Sequence, residues 1–227
     1  MSNTPNLKIY EPDTASEPLL VIPGRLVDEM KNTSEAHRKR IEEYADNAFK
    51  DHVLECKVDD DVAQVWYCGR PGGSSVYHFY VAFIPHAVVV YGDIGDMLIR
   101  PGWNRGLGWL RGALHDGKDK YFNYMLGKVP GKHARMEFRS GDVIESLVEC
   151  VKDDESFIEE TQNILDDWAE QIVFTSEGLE QAWHEAARRD LDYDGELVYG
   201  FTDFDSEMYW CAYALRWFVR EWVKQNG

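Results

Sequence analysis

Cysteine is scarce in this chain. It occurs four times in 227 residues, at Cys56, Cys68, Cys150 and Cys211. None stands in a CxxC pair, so zinc-ribbon and dithiol redox motifs are excluded and reduced, buried thiols are expected. No run reaches the roughly 18 to 20 apolar residues of a membrane helix. The opening MSNTPNLKIYEPDTASEPLL lacks a basic head followed by an apolar core, so no secretory signal is read from it. HExxH and GxSxG are absent, and the glycine-rich GRPGGSS of residues 69–75 lacks the Gly-Lys-Ser/Thr that closes a Walker A loop. No catalytic nucleophile, metal site or cofactor is therefore nominated. Basic residues thin out towards the end. Residues 141–227 hold 22 acids and 6 bases, a net −16, whereas residues 1–140 hold 19 acids and 18 bases, a net −1.

What is present is apolar and aromatic. Hydrophobic residues make up 44% and aromatics 13%, enough for a folded core in one domain. The densest β-forming stretch is VYHFYVAFIPHAVVVYGDIGDMLIR, residues 76–100. In residues 76–83, Tyr77, Phe79, Val81 and Phe83 alternate with Val76, His78, Tyr80 and Ala82, which predicts a strand with one buried face. Pro85 and His86 break it. The run from Ala87 to Tyr91 reads as a strand covered on both faces. Gly92-Asp93-Ile94-Gly95 reads as a turn, with Asp93 bonding its own backbone. Two further strands are expected at residues 52–58 and 62–68, around the acidic turn Asp59-Asp60-Asp61.

Helical spacing marks the rest. Ile41, Tyr44, Ala45, Ala48 and Phe49 define a helix over residues 34–50, capped at Thr33 or Ser34. Leu107, Leu110 and Leu114 give a short helix, and residues 119–126 a second one stopped by Gly127. A last strand is expected within residues 133–139. Val143, Ile144, Leu147, Val148 and Val151 form one stripe. Ile158, Thr161, Ile164, Leu165 and Trp168 form another, and Leu179, Ala182, Trp183 and Ala186 a third. The final helix, residues 205–224, is apolar nearly all round, which predicts a central position or an oligomer contact. The four prolines of residues 1–24 predict an extended arm, with Leu19-Leu20-Val21-Ile22 as a short edge strand.

The combination VVVYGDIGDMLIR, then WLRG, then the closing YWCAYALRWFV resembles a group of uncharacterised phage and prophage proteins. The resemblance spans roughly residues 77–223. It implies a phage setting and no particular activity.

Two constellations are candidate sites. Arg100, Trp103, Asn104, Arg105, Arg111 and His115 supply bidentate cations and a stacking plane suited to a phosphate-like ligand. The competing account pairs these arginines with the acids downstream. The second constellation is the carboxylate-rich helices, with Asp166, Asp167 and Glu170 as the acidic face for a basic protein partner. Asp93 and Asp96 with His78 and His86 are a weaker candidate for a metal or acid/base group, the competing account being that Asp93 serves its turn.

The expectation is an α+β fold, with an antiparallel β-sheet from about residues 52–100 and a largely helical C-terminal half packed against it. It is read as a single domain, with residues 1–33 an arm, 34–140 the sheet and short helices, and 141–227 the acidic helical part. The function expected is a phage-encoded, non-enzymatic binding protein acting on a host or anti-phage defence component in the host cytoplasm. The alternative is a nucleotide- or phosphate-compound-binding protein or enzyme using residues 100–139, which hold 9 bases and 3 acids. No membrane partner is expected, a homo-oligomer is compatible with the last helix, and a net charge of −17 argues against direct nucleic-acid binding.

Overall fold

The computed structural model describes residues 5–9, 20–73, 75–102, 106–114, 119–153, 158–170 and 202–226. In chain order the elements are β1 Leu7–Ile9, β2 Leu20–Ile22, α1 Gly24–Glu29, α2 Ser34–Phe49, β3 Val53–Asp59, β4 Gln64–Gly69, β5 Phe79–Ile84, β6 Ala87–Gly92, β7 Gly95–Ile99, α3 Leu107–Leu114 and α4 Asp119–Leu126. A 3-10 turn Gly131–His133 follows, then β8 Met136–Phe138, α5 Ser140–Asp153, α6 Ile158–Glu170, β9 Thr202–Phe204 and α7 Ser206–Asn226. The architecture is α+β, as the residue patterns predict. The chain packs as two units, residues 1–37 with 136–203, and residues 38–135 with 204–227.

The second unit is built on a five-stranded antiparallel meander in the order β3, β4, β5, β6, β7. Each connection is a hairpin between sequence neighbours, which keeps loop-closure cost small. Phe79, Val81 and Phe83 of β5 face the core with Val88 and Val90 of β6 and Met97 and Ile99 of β7. The period-two pattern therefore sets the pleat correctly. β5 starts at Phe79 and not at residue 76, because Tyr77 takes a left-handed φ of 60° and turns the chain.

The expectation that residues 87–91 are covered on both faces is corrected. Val88 and Val90 are buried, but Ala87 and Val89 are half-buried and Tyr91 is exposed. The other face carries Tyr67, Tyr80 and Tyr91 side by side across three strands, with ring centroids 5.3 and 5.0 Å apart. An antiparallel meander needs helices on one face only, and these rings shield the valines between them.

α7 is the main cover on the buried face. Met208, Tyr209, Cys211, Ala212, Tyr213, Ala214, Leu215, Trp217, Phe218 and Val219 are all buried. Leu110 of α3, Phe122 and Met125 of α4, and Ile41 and Phe49 of α2 join the same core. At roughly 1.5–3 kcal/mol for each large apolar side chain removed from water, this one helix supplies about a third of that core, ten of its thirty buried residues. The sheet edges are closed differently. β3 is bulged between Cys56 and Val58 and carries the Lys57–Glu55 ion pair, features that discourage edge-to-edge pairing. At β7, the Arg135 guanidinium donates to the Asp96 carbonyl at 3.1 Å and occupies that edge.

The first unit has its own core of Leu20, Ile22, Leu26, Phe138, Val143, Ile144, Leu147, Val151, Leu165 and Trp168. β1 and β2 form a short antiparallel hairpin, Leu7 opposite Ile22. Gln162 of α6 completes the free edge of β2. Its Oε1 accepts from the Val21 N–H at 2.9 Å and its Nε2 donates to the Val21 carbonyl at 3.0 Å. Thr33 caps α2 by accepting from the Ala36 N–H at 3.1 Å, and Asp142 accepts from the Ser34 N–H at 3.0 Å. The expected stripe of residues 179–187 and most of the loop after it lie outside the described residues.

Candidate functional site

The turn at residues 92–95 is structural. Gly92 and Gly95 pair directly, leaving Asp93 and Ile94 as a two-residue loop. A Cβ at Gly92 would come within 2.6 Å of the His78 carbonyl, and its φ is 146°. Asp93 does not bond its own backbone. Its Oδ2 accepts from the Tyr77 N–H at 2.7 Å, and its N–H donates to the His78 carbonyl at 3.0 Å. Arg135 ties the neighbouring residues together, with Nε 3.0 Å from Asp205 Oδ2 and a nitrogen 3.1 Å from Glu207 Oε2. Asp205 also caps α7, accepting from the Met208 N–H at 2.8 Å. Cys211 is buried beside this cluster, and burial pushes its thiol pKa well up, so it is no nucleophile.

Of the proposed cationic site, Trp103, Asn104, Arg105 and His115 lie outside the described residues. Arg100 follows β7 and is exposed, its N–H bonded to the Lys128 carbonyl at 3.0 Å. Arg111 lies on α3 with its guanidinium 4.8 Å from the ring centre of Trp222 on α7. Neither arginine is paired with an acid among the described residues. Four residues outside the sequence-based candidates join them: Trp222, Lys128, Tyr124 and Trp109. Lys128 Nζ stands 4.7 Å from the Tyr124 ring, and the Trp109 ring is 6.4 Å from that of Tyr124. Tyr124 and Lys128 are four apart across a helix end, a spacing that signals the pair. Trp222 is 111 residues from Arg111, and no local pattern announces it.

The acidic face is on α6. Asp166, Asp167 and Glu170 are exposed, as is Glu159, and none forms an ion pair among the described residues. Asp166 accepts from Gln162 Nε2 at 3.1 Å, the same amide that closes the β2 edge. The crowding of charge in this unit is visible on α5, where the Glu145 carboxyl is raised above its usual range by burial and by Asp142, Glu35 and Glu149 around it. By unit, the charge separates more sharply than by chain order. The first unit holds 26 acids and 7 bases, net −19, and the second 15 acids and 17 bases, net +2.

A cavity of about 280 Å³ opens in the second unit between the β3–β4 and β5–β6 turns, lined by Asp60, Asp61, Gln64, Pro85, His86 and Pro101 among others. Asp60 is committed to its own turn. Its Oδ1 accepts from the Val62 and Ala63 N–H groups, both at 2.8 Å, and these bonds hold its pKa below the ordinary value. Among the described residues no group of three or more His, Cys, Asp or Glu could hold a metal ion. The described part of the chain also has no helix long and apolar enough to cross a membrane. Compared with models of known protein families, with curated proteins and with solved structures, the chain finds no match.

Proposed function

We propose that the chain is a non-enzymatic binding protein whose acidic first unit engages a basic surface on a host or anti-phage defence protein in the host cytoplasm. The observation that carries this reading is the charge division, −19 in one unit and +2 in the other. Asp166, Asp167 and Glu170 are exposed on α6 and form no ion pair among the described residues. A partner that brings lysines and arginines would offset the excess negative charge of this unit. The resemblance of residues 77–223 to phage and prophage proteins supplies the biological setting.

Reversing Asp166, Asp167 and Glu170 to lysine tests it. Capture of a basic partner from host lysate is expected to fall at least tenfold, and capture by the unaltered chain to weaken as salt rises. Unchanged capture by a folded triple variant would remove the acidic face from the account. A second reading, binding of a nucleotide or other phosphate compound by the second unit, is favoured by one observation. Arg100, Arg111 and Lys128 have no acid partner among the described residues, and the latter two lie on aromatic rings.

A further inference from the structure

Residues 100–135 hold eight bases and two acids. Three of the described cations are held in two different ways. Arg135 is saturated by Asp96, Asp205 and Glu207. Arg111 and Lys128 instead rest on the aromatic rings of Trp222 and Tyr124. A cation held by a ring keeps its full charge and its outward N–H donors, whereas one held by carboxylates is neutralised. The rings are not sealed in the core. Tyr124 is 44% exposed, and Trp109 and Trp222 are half-buried. Arg100 is exposed, and its backbone N–H is bonded to the Lys128 carbonyl.

α3 organises the arrangement. Trp109 packs towards Tyr124 of α4, and Arg111, two residues on, packs towards Trp222 of α7. Two residues rotate a helix by about 200°, so the two cation–ring pairs flank one short helix about 10 Å across. That gives two stacking platforms with phosphate-binding cations beside each. The tyrosines of the open sheet face offer nothing comparable. Tyr80 and Tyr91 are stacked on each other at 10°, so their rings spend a face on one another.

We propose that this surface of the second unit binds single-stranded nucleic acid, with Arg100, Arg111 and Lys128 on the phosphates and Tyr124 and the Arg111–Trp222 pair stacking on bases. The inference rests on the phosphate-binding reading above and narrows it to a polymer. Base stacking on aromatic rings and guanidinium planes, with cations tracking the backbone, is the general mode of such binding. The net −17 of the whole chain argues against nucleic acid, but the unit that carries these residues is at +2. An exposed patch without an enclosing pocket also suits a chain that lies across it better than a free nucleotide.

The test uses fluorescein-labelled oligo-dT and the full chain, read by polarisation at 50 mM salt and above, with ATP and heparin as separate probes. Oligo-dT is expected to bind with a salt-dependent affinity. Arg100→Ala with Lys128→Ala should weaken it more than tenfold and lower the salt slope by roughly 1.4, since each of the two phosphate contacts to a single strand contributes about 0.7. Tyr124→Leu, which keeps the apolar packing, should weaken oligo-dT at least fivefold and leave heparin unchanged. Asp166→Lys should not weaken it. No oligo-dT binding at 50 mM salt overturns the proposal, as does binding that survives both sets of variants. If ATP then binds and oligo-dT does not, the small-phosphate reading stands alone; if neither binds, both fall. Circular dichroism of each variant confirms that a loss is not unfolding.

Discussion

Tyr77 and His52 hold each other in place. His52 is 7% exposed and lies among the rings of Phe49, Phe79 and Trp217, with centroids 5.4 to 6.3 Å away. Its Nε2 is 3.0 Å from the Tyr77 carbonyl, which can only accept, so Nε2 carries the proton. Nδ1 is buried with no hydrogen-bond partner among the described residues. Burial pushes the His52 pKa below 6.5, against the pull of the Tyr77 carbonyl; Arg70 and His78 add to the lowering and Asp51 opposes it. A histidine depressed on folding favours the neutral form, so its contribution is present above about pH 6.5 and is lost as pH falls towards the folded value. Thermal melts at pH 7.5 and 5.5 should show a larger drop for the wild type than for His52→Gln; equal drops would mean His52 titrates as it does in the unfolded chain. At Gly92 the expected effect is simpler. Gly92→Ala meets the His78 carbonyl and a left-handed φ, and should cost at least about 1–3 kcal/mol, read as a lowered Tm. The turn at Gly92 was legible from its residues. The acceptor role of Asp93 was not, because its partner is 16 positions away and is brought close only by the sheet.

Among the elements, α7 is the one on which the second unit depends. Sequence periodicity identified it as apolar nearly all round, which required contacts on several sides because no single flat contact could bury both Leu215 and Trp217; the structure supplies them with the sheet, α2, α3 and α4. Leu215 is fully buried. Leu215→Asp places a charge there at a cost of several kcal/mol, and the expected result is loss of the cooperative melt and of near-ultraviolet circular dichroism. A variant that melts at the wild-type temperature would make α7 a peripheral appendage. β6 shows the limit of the same reasoning. A continuous apolar run is compatible with burial on two faces, and nothing in Ala87 to Tyr91 itself says that one face is left to Tyr67 and Tyr80 on other strands. Helix boundaries were readable where a local group sets them, as Thr33 does for α2 and Gly127 for α4.

Across the whole molecule the thiols and the charge give separate expectations. Cys68 and Cys211 are buried and free, and Cys56 is exposed and free. Burial raises the Cys68 thiol pKa well above its ordinary value, so this group reacts only after unfolding. Titration of the denatured, non-reduced protein should count four thiols, the full cysteine content; a count of two would reveal a disulfide. In the native state the count should be lower, because thiolate formation at Cys68 and Cys211 is suppressed.

The sequence by itself determined the elements that local chemistry controls. These are four of the five strands of the meander, the turns at Asp59-Asp60-Asp61 and at Gly92 to Gly95, the helices α2 to α6, and the all-round apolar character of α7. Each depends on alternation, helical spacing, caps or glycines within a few residues, and that information is contiguous. The acid excess was also countable from the chain alone. Only the tertiary structure decided how the charge is partitioned, because the first unit draws on residues 1–37 and 136–203 and α7 packs with the sheet. It alone decided which cations meet carboxylates and which meet rings. Arg135 and Arg111 are the same residue type 24 positions apart, yet one is neutralised by Asp205 and Glu207 and the other lies on Trp222. The neighbours of a side chain come from distant parts of the chain. Its electrostatic state is therefore a property of packing, and packing is not written in any local window of the sequence.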